Sequence, residues 1–548
     1  MASPHAARAD SYRPTTLGKR GMACSSHYLA SQAGIRTLQA GGHAMDAAIT
    51  MAAVLGLVEP HMSGPGGDGF LMVYDAAEKK VRCLNGTGAA PTGATLEEYV
   101  LDGGIPSKGI RSASVPGIAG AWMTGHAAYG RLKLEQVFSP AFEIAEDGFP
   151  LSAKVARSLE AEAATGSPIC SYPASAAIFA PAGRPLREGE ICRNPDYAQT
   201  LWLLARGGSE VFYRGHFAAS LLRMSDEGDG CFHGDDLSRF RAVWQDPIQV
   251  RYRDWDVFEY PPNSSGHVLL QELNIVEFFD LAAMGFLSPE AIHLMVEAKK
   301  LAFADREEYL ADPDFVRVPI DWLLSKEYAG ERVTRIHCER AATDVRAGVP
   351  EAHEDTTCFC VADRQGNAVV QLQSIQSAWG SGLVVDKTGV LLNNRMTYWH
   401  LDADHVDALQ PGKRVRHTMN PFMVLKEGRP ILIGGTPGAD TQVQTNLQLI
   451  THVLDYGLTP QEAIEAPRWR HTQDGTESDY PHSCQDELIL EARFPTATRE
   501  VLAEFGHQIR VIGDWEATGS AQLIQFNPDT GVMSGGADPR RDSLALAW

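Results

Sequence analysis

The chain has 548 residues, a formal net charge of -21, and an ordinary mix of 44% hydrophobic and 21% charged residues; at this length a large core needs neither disulfides nor a structural metal. The acidic balance argues against nucleic-acid or anionic-membrane partners, because phosphate binding rests on clustered Lys and Arg. Nine cysteines without framework spacing, no apolar core for a secretion signal and no bilayer-length apolar run predict a soluble, cytoplasmic protein.

The opening twenty residues are polar and read as a loose tail or surface strap. SSHYLASQAGIRTLQAGG then predicts a helix closed by Gly41 and Gly42. Residues 43–57 predict a buried helix, apolar almost all round. The Gly-rich run 64–69 leads into FLMVYD and VRCLNGTG, a predicted hairpin turning at 76–80. From about 115 to 310 the periodicity is mainly helical, most clearly over 266–283 and over 289–310, where Pro occupies the first turn. Near 345 the chain becomes a polar, Gly/Pro-bearing loop. TTCFCVAD and NAVVQLQS follow as a second hairpin. PFMVLKEG with RPILIGG, and QLIQFNP with GVMSGG, predict two more, with a helix over 441–458 between them. Strands toward both ends with helices between predict a layered α+β architecture in one globule.

Standard catalytic motifs are missing: there is no GxSxG, HExxH, GxxxxGK[ST] or CxxC. GPGGDGF precedes a strand instead of joining a strand to a helix, the wrong context for dinucleotide binding; its glycines read as a tight turn where backbones approach closely. Cys358 and Cys360 share one strand face and read as packing, not as a metal pair. The polar loop entering Asp355-Thr356-Thr357 is more informative. A Thr hydroxyl is a weak nucleophile, but a cut just before it frees an α-amine of pKa about 7.7–8.0 that can serve as its base. On these residues alone, a Thr pair at a strand start can equally be favouring strand structure. His353 reads as a solvated loop residue, with help in processing as the alternative.

A resemblance decides between these. TTCFCVADRQGNAV, GSGLVV, TGVLLNNRM, GKRVRHTMNP and GGTPGAD, preceded by GGHAMDAAITMAAVLGLVEPHMSGPGGDGF and SVPGIAGAW, stand in the order and spacing of the γ-glutamyltransferase family. ADP at 311–313 and APRW at 466–469 fit too, so the resemblance runs from Gly21 to the C-terminus. It implies the N-terminal-nucleophile hydrolase fold, a four-layer αββα sandwich made as one precursor. The implied cut lies between Asp355 and Thr356. It leaves a helix-rich large subunit, 1–355, and a small subunit, 356–548, associated as one globular unit. Thr356 would attack an amide and form an acyl-enzyme. By position, Ser374 stands where the family has the Thr that bonds the nucleophile's hydroxyl, and Gln376 stands at the family's Asn. The oxyanion donors would be the backbone N–H groups of Gly438 and Ala439; Ala at 439 replaces the family's Gly, which spares a backbone donor but adds a methyl to the pocket.

The implied substrate pocket departs further from the family. Thr87 occupies the position of the Arg that grips the glutamate α-carboxylate, and the nearest alternative, Ala89, is also small. Tyr398 replaces the acidic residue that accepts the α-ammonium, and His417-Thr418 replace the serine pair. Losing an Arg–carboxylate fork removes bonds worth about 1.5–3 kcal/mol each, so glutathione is not the expected substrate. EPHMSGPGGDGF, GSGLVV and the RHT before MNP look more like the acylase-like branch, with cephalosporin-acylase-like proteins and an amidohydrolase of oxamate. There Arg395, Arg416 or His417 would meet another acid group, or else pair with local carboxylates. Trp379 and Tyr398 would shape the acyl pocket, although Trp379 reads equally as core. The expectation is an autoprocessed Thr-nucleophile hydrolase of a small-molecule amide, with no cofactor, metal or nucleic acid. A homo-oligomer of the processed unit is compatible with the family. A γ-glutamyl hydrolase or transferase is one alternative, and an unprocessed binding or scaffold protein is another.

Overall fold

The computed structural model describes residues 11–343, 345 and 357–548. Two seven-stranded sheets carry the architecture. One runs, edge to edge, through Thr16–Gly18, Met533–Ala537, Gln522–Phe526, Arg429–Gly435, Phe422–Lys426, Trp255–Glu259 and Ile248–Tyr252. The other runs through Leu544–Ala547, Gly21–Ser25, Thr357–Asp363, Ala368–Ser374, Asp68–Asp75, Lys80–Gly86 and Val243–Gln245. All neighbours in both sheets are antiparallel.

The layering follows from strand alternation. Cys24, Cys358, Cys360 and Leu372 of the second sheet meet Met423, Ile433 and Ile524 of the first in one buried cluster. Their chain neighbours Ala23, Phe359 and Val361, with Val73 of the same sheet, turn the other way, onto a cluster with helices Ala44–Val58, Ile118–Tyr129, Leu134–Asp147 and Pro195–Tyr213. The outer face of the first sheet, through Val257, Val424, Leu432 and Leu523, packs on helices Gly266–Val276, Pro289–Tyr309 and Thr441–Leu454. The result is the expected αββα sandwich. Cys358 and Cys360 lie between the sheets, where burial pushes both thiols up and out of reach of thiolate chemistry.

Local signals explain the elements. Gly41, at φ 93°, follows helix Tyr28–Gln39. Helix Ala44–Val58 is buried at every residue and opens on a reciprocal cap between His43 and Asp46. The hairpins formed by Asp68–Asp75 with Lys80–Gly86 and by Thr357–Asp363 with Ala368–Ser374 occur where predicted. Three corrections arise. The mainly helical stretch contains strands Val243–Gln245, Ile248–Tyr252 and Trp255–Glu259; these lie toward the sheet edges, so the first has no buried residue and the other two bury only alternate ones, and the charges between blur the pattern. The helix expected over 266–283 ends at Val276, and the one over 441–458 ends at Leu454. Within the opening segment, Thr16–Gly18 is an edge strand paired with residues 533–535. Among the described residues no helix is long and apolar enough to cross a membrane.

Candidate active site

Strand register brings several chain ends to one place. Thr357 opposes Gln373, and Ser374 opposes Asp68. Asp355 and Thr356, the expected cut and nucleophile, lie outside the described residues, as does His353. Thr357, next in the chain to Thr356, is fully buried at the first position of its strand. Its hydroxyl donates to the Glu59 carboxylate over 2.9 Å and lies 2.6 Å from the Ser26 hydroxyl, which also bonds Glu59. Glu59 is the residue after helix Ala44–Val58 and stands in the EPHM motif; a single sequence does not reveal its partner, 298 positions away.

The GPGGDGF turn has a close-packing role. A Cβ on Gly67 would stand 2.2 Å from the Ser374 carbonyl oxygen, and one on Gly66 would stand 2.1 Å from that of Leu391. Only glycine lets this turn lie against the end of the Ser374 strand. Gly67→Ala is therefore expected to destabilise the fold by about 1–3 kcal/mol through overpacking. Calorimetric melting would check this, and an unchanged melting temperature would show that the turn can move aside.

Beyond Ser374 the chain takes a left-handed step at Gln376, φ 83°, whose backbone N–H donates to the Ser374 hydroxyl over 2.9 Å. The Gln376 amide and the Thr397 hydroxyl both donate to Asp479. Burial pushes the Asp479 carboxyl up to about 7, with the Thr397 bond and Arg395 opposing the rise. In the PGAD turn, Gly438 (φ 130°) and Ala439 (φ 36°) are both left-handed and lead directly into helix Thr441–Leu454.

Five of the predicted pocket residues fall into linked contacts here. The Arg395 guanidinium lies over the Tyr398 ring at 4.7 Å, and the Tyr398 hydroxyl is 3.4 Å from that of Thr418. Arg395 Nε is 3.4 Å from the Asp68 carboxylate, while its Nη2 has no hydrogen-bond partner among the described residues. His417 Nε2 is 3.7 Å from the same carboxylate oxygen. Burial, and then the charge of Arg395, push His417 well below its ordinary value, so the ring is neutral. Burial raises Asp68 to about 6 against the opposing effects of Arg395 and the Gly88 N–H. Thr87 is tied to Asn85 and accepts from the Asn263 amide over 3.2 Å, and the Asn263 carbonyl accepts from the His417 N–H over 2.7 Å.

Two candidates fall elsewhere. Trp379 packs on Phe179 and His61 in the helical core, its indole N–H donating to Ser158. Arg416 is engaged, donating to Glu307 over 2.7 Å and meeting His400 at 3.1 Å. Among the described residues, two groups have metal-ligand chemistry: the buried His293, Glu297 and His507, and Glu307 and His400 with the half-buried His405. Each has a cation bonded to its glutamate. Lys300 bonds Glu297 while His293 and His507 pair at 2.8 Å, and Arg416 bonds Glu307 in the second.

Known proteins match the chain over nearly its whole length. The glutathione hydrolase-like YwrD proenzyme of Bacillus subtilis (strain 168) is 37% identical over 534 residues, covering 97% of this chain and 99% of its own. The acylase ACY 1 proenzyme of Pseudomonas sp. (strain SE83) is 35% identical over 543 residues, covering 97% of this chain and 94% of its own. The crystal structure of cephalosporin acylase from Bacillus halodurans is similar at a TM-score of 0.90 and 36% identity, covering 100% of this chain and 99% of that one. The family model for gamma-glutamyltranspeptidase matches residues 30–548. With that match and these relatives, the chain belongs to the gamma-glutamyltranspeptidase family.

Proposed function

We propose that the chain is an amide hydrolase of the acylase kind, made as a precursor that cuts itself between Asp355 and Thr356. The Thr356 oxygen attacks the amide carbon, and its proton passes to the Thr356 α-amine. The carbon–nitrogen bond breaks, the amine leaves with that proton, and water hydrolyses the ester. Ser374 positions the nucleophile, and the N–H groups of Gly438 and Ala439 receive the oxyanion. Arg395, Tyr398, His417, Thr418, Gln376 and Thr87 line the acyl pocket, while Trp379 supports it from the core. The observation that supports this reading best is the meeting of three strand ends at Thr357, Ser374 and Asp68, where Thr357 is next in the chain to the residue at the family's nucleophile position. The acylase and proenzyme relatives support it as well.

A γ-glutamyl hydrolase or transferase is the second reading, favoured by the glutathione hydrolase-like relative. Against it stand Thr87 in place of the carboxylate-binding Arg, and Tyr398 in place of the ammonium-binding acid. A cytoplasmic location and a homo-oligomer of the processed unit belong to the first reading. Intact mass and N-terminal sequencing of the purified chain, with a panel of acyl and γ-glutamyl anilides, test it. Two chains, the smaller starting TTCFCVAD, with acyl anilides cleaved faster than γ-glutamyl anilide, are the expected result. One uncut, inactive chain after long incubation would favour the scaffold alternative.

A further inference from the structure

An aspartate just before the first turn of a helix ordinarily accepts that helix's own N–H groups. Asp440 does not: its side chain makes no cap to helix Thr441–Leu454. Both of its oxygens face the other way. One accepts from Arg306 and from the Ser478 hydroxyl at 2.9 Å, and the other accepts from the Ser478 N–H at 2.7 Å. Arg306 is 1% exposed, lies over the Phe303 ring at 4.4 Å, and also donates to Glu307 and to the Thr476 carbonyl. Glu307 in turn accepts from Arg416, the residue before His417. Alternating charges therefore run Asp440, Arg306, Glu307, Arg416 through the interior. They tie the Gly438–Ala439 turn to the chain segment that carries His417 and Thr418.

The turn needs such a hold. Ala439 sits at φ 36°, in a left-handed region that disfavours a residue with a Cβ. Strained backbone of this kind persists only where its surroundings over-determine it. We infer that Arg306 is a positioning residue: by gripping Asp440 it keeps the Gly438–Ala439 turn in the conformation that aims its N–H groups, and through Glu307 and Arg416 it keeps that turn in register with the acyl pocket. The inference rests on the reading of Gly438 and Ala439 as oxyanion donors.

The test is a cycle of Arg306→Lys and Ala439→Gly in the full chain, read as kcat and KM on a cleaved acyl anilide, with intact mass and melting temperature for each protein. Losing one oxyanion donor costs about 100- to 1000-fold in kcat. Arg306→Lys is expected to lower kcat by about 100-fold at the lower end of that range, with KM shifted less than about threefold. With glycine at 439 the left-handed turn no longer needs enforcing, so the same Arg306→Lys change is expected to cost only about tenfold. A merely structural role would not produce this rescue. If Arg306→Lys fails to fold, Asp440→Asn replaces it, since it removes the charge while preserving the volume, and the same rescue is expected. An equal kcat loss in both backgrounds, or a loss confined to KM, overturns the inference. An uncut, inactive wild type overturns the hydrolase reading beneath it, whereas a cut, active wild type without rescue overturns the clamp alone.

Discussion

Thr356→Ala is expected to leave the precursor whole and to remove amide hydrolysis. Wild type is expected to separate under denaturing conditions into chains 1–355 and 356–548, whereas the alanine variant runs as one chain of 548 residues. Both effects would share one cause, because in the proposed reaction the hydroxyl that opens the peptide bond before residue 356 is the one that later takes the acyl group. Removing the nucleophile of a hydrolase costs on the order of a million-fold in kcat. Any rate within about a thousandfold of wild type would therefore assign the attack to another group. Mass spectrometry with N-terminal sequencing reads the first effect, and anilide release reads the second. A cut alanine variant would transfer the processing role elsewhere, with the neighbouring Thr357 the first group to inspect. Thr357 is a poor substitute, because its hydroxyl is already committed to Glu59 and faces the side of the sheet that carries Phe359 and Val361.

The second large effect concerns the acyl group. Arg395 is the cation of the pocket whose Nη2 has no partner among the described residues; Arg416 is engaged by Glu307, and His417 is neutral. An acyl chain ending in a carboxylate would complete the guanidinium's bonding, and a hydrogen bond to a charged group is worth about 1.5–3 kcal/mol. At about 1.4 kcal/mol per tenfold, wild type is expected to favour a glutaryl anilide over a valeryl anilide by roughly 10- to 100-fold in kcat/KM. Arg395→Gln is expected to bring that ratio close to one by slowing the glutaryl substrate. It also leaves Asp68 without its cation, so melting temperature accompanies the kinetics. A ratio that survives the substitution would reduce Arg395 to a structural partner of Asp68. A γ-glutamyl anilide preferred over both would favour the second reading.

What the sequence made legible was local or carried by long motifs. The hairpins around residues 68–86 and 357–374 follow from period-two patterning and turn residues, and each occurs as read. The two-sheet sandwich followed from the family resemblance, since nothing in one strand says which of fourteen will lie beside it. The strands at 243–259, two of them at sheet edges and the third next to one, were missed because strands there are solvated along much of their length. Glu59, Asp68, Arg306 and Asp479 were missed for another reason. A buried acid or base looks like any surface charge until its partner is known, and Arg306 lies 134 positions from Asp440. The three candidate cations near the pocket could be reduced to Arg395 only once the contacts of Arg416 and His417 were visible.

Each sheet interleaves strands from both sides of residue 355. Thr357–Asp363 lies between Gly21–Ser25 and Ala368–Ser374, and Phe422–Lys426 lies between Trp255–Glu259 and Arg429–Gly435. A backbone cut at 355 would thus produce two polypeptides, neither of which owns a complete sheet. Subunit dissociation and denaturation would be a single event, so dilution would not release folded halves. Halves synthesised separately would have to find each other while unfolded, with long strand edges open to aggregation. The uncut precursor makes that encounter intramolecular. It would be the form in which the molecule folds, and a later cut would preserve a topology that the severed pieces would be poorly equipped to regain.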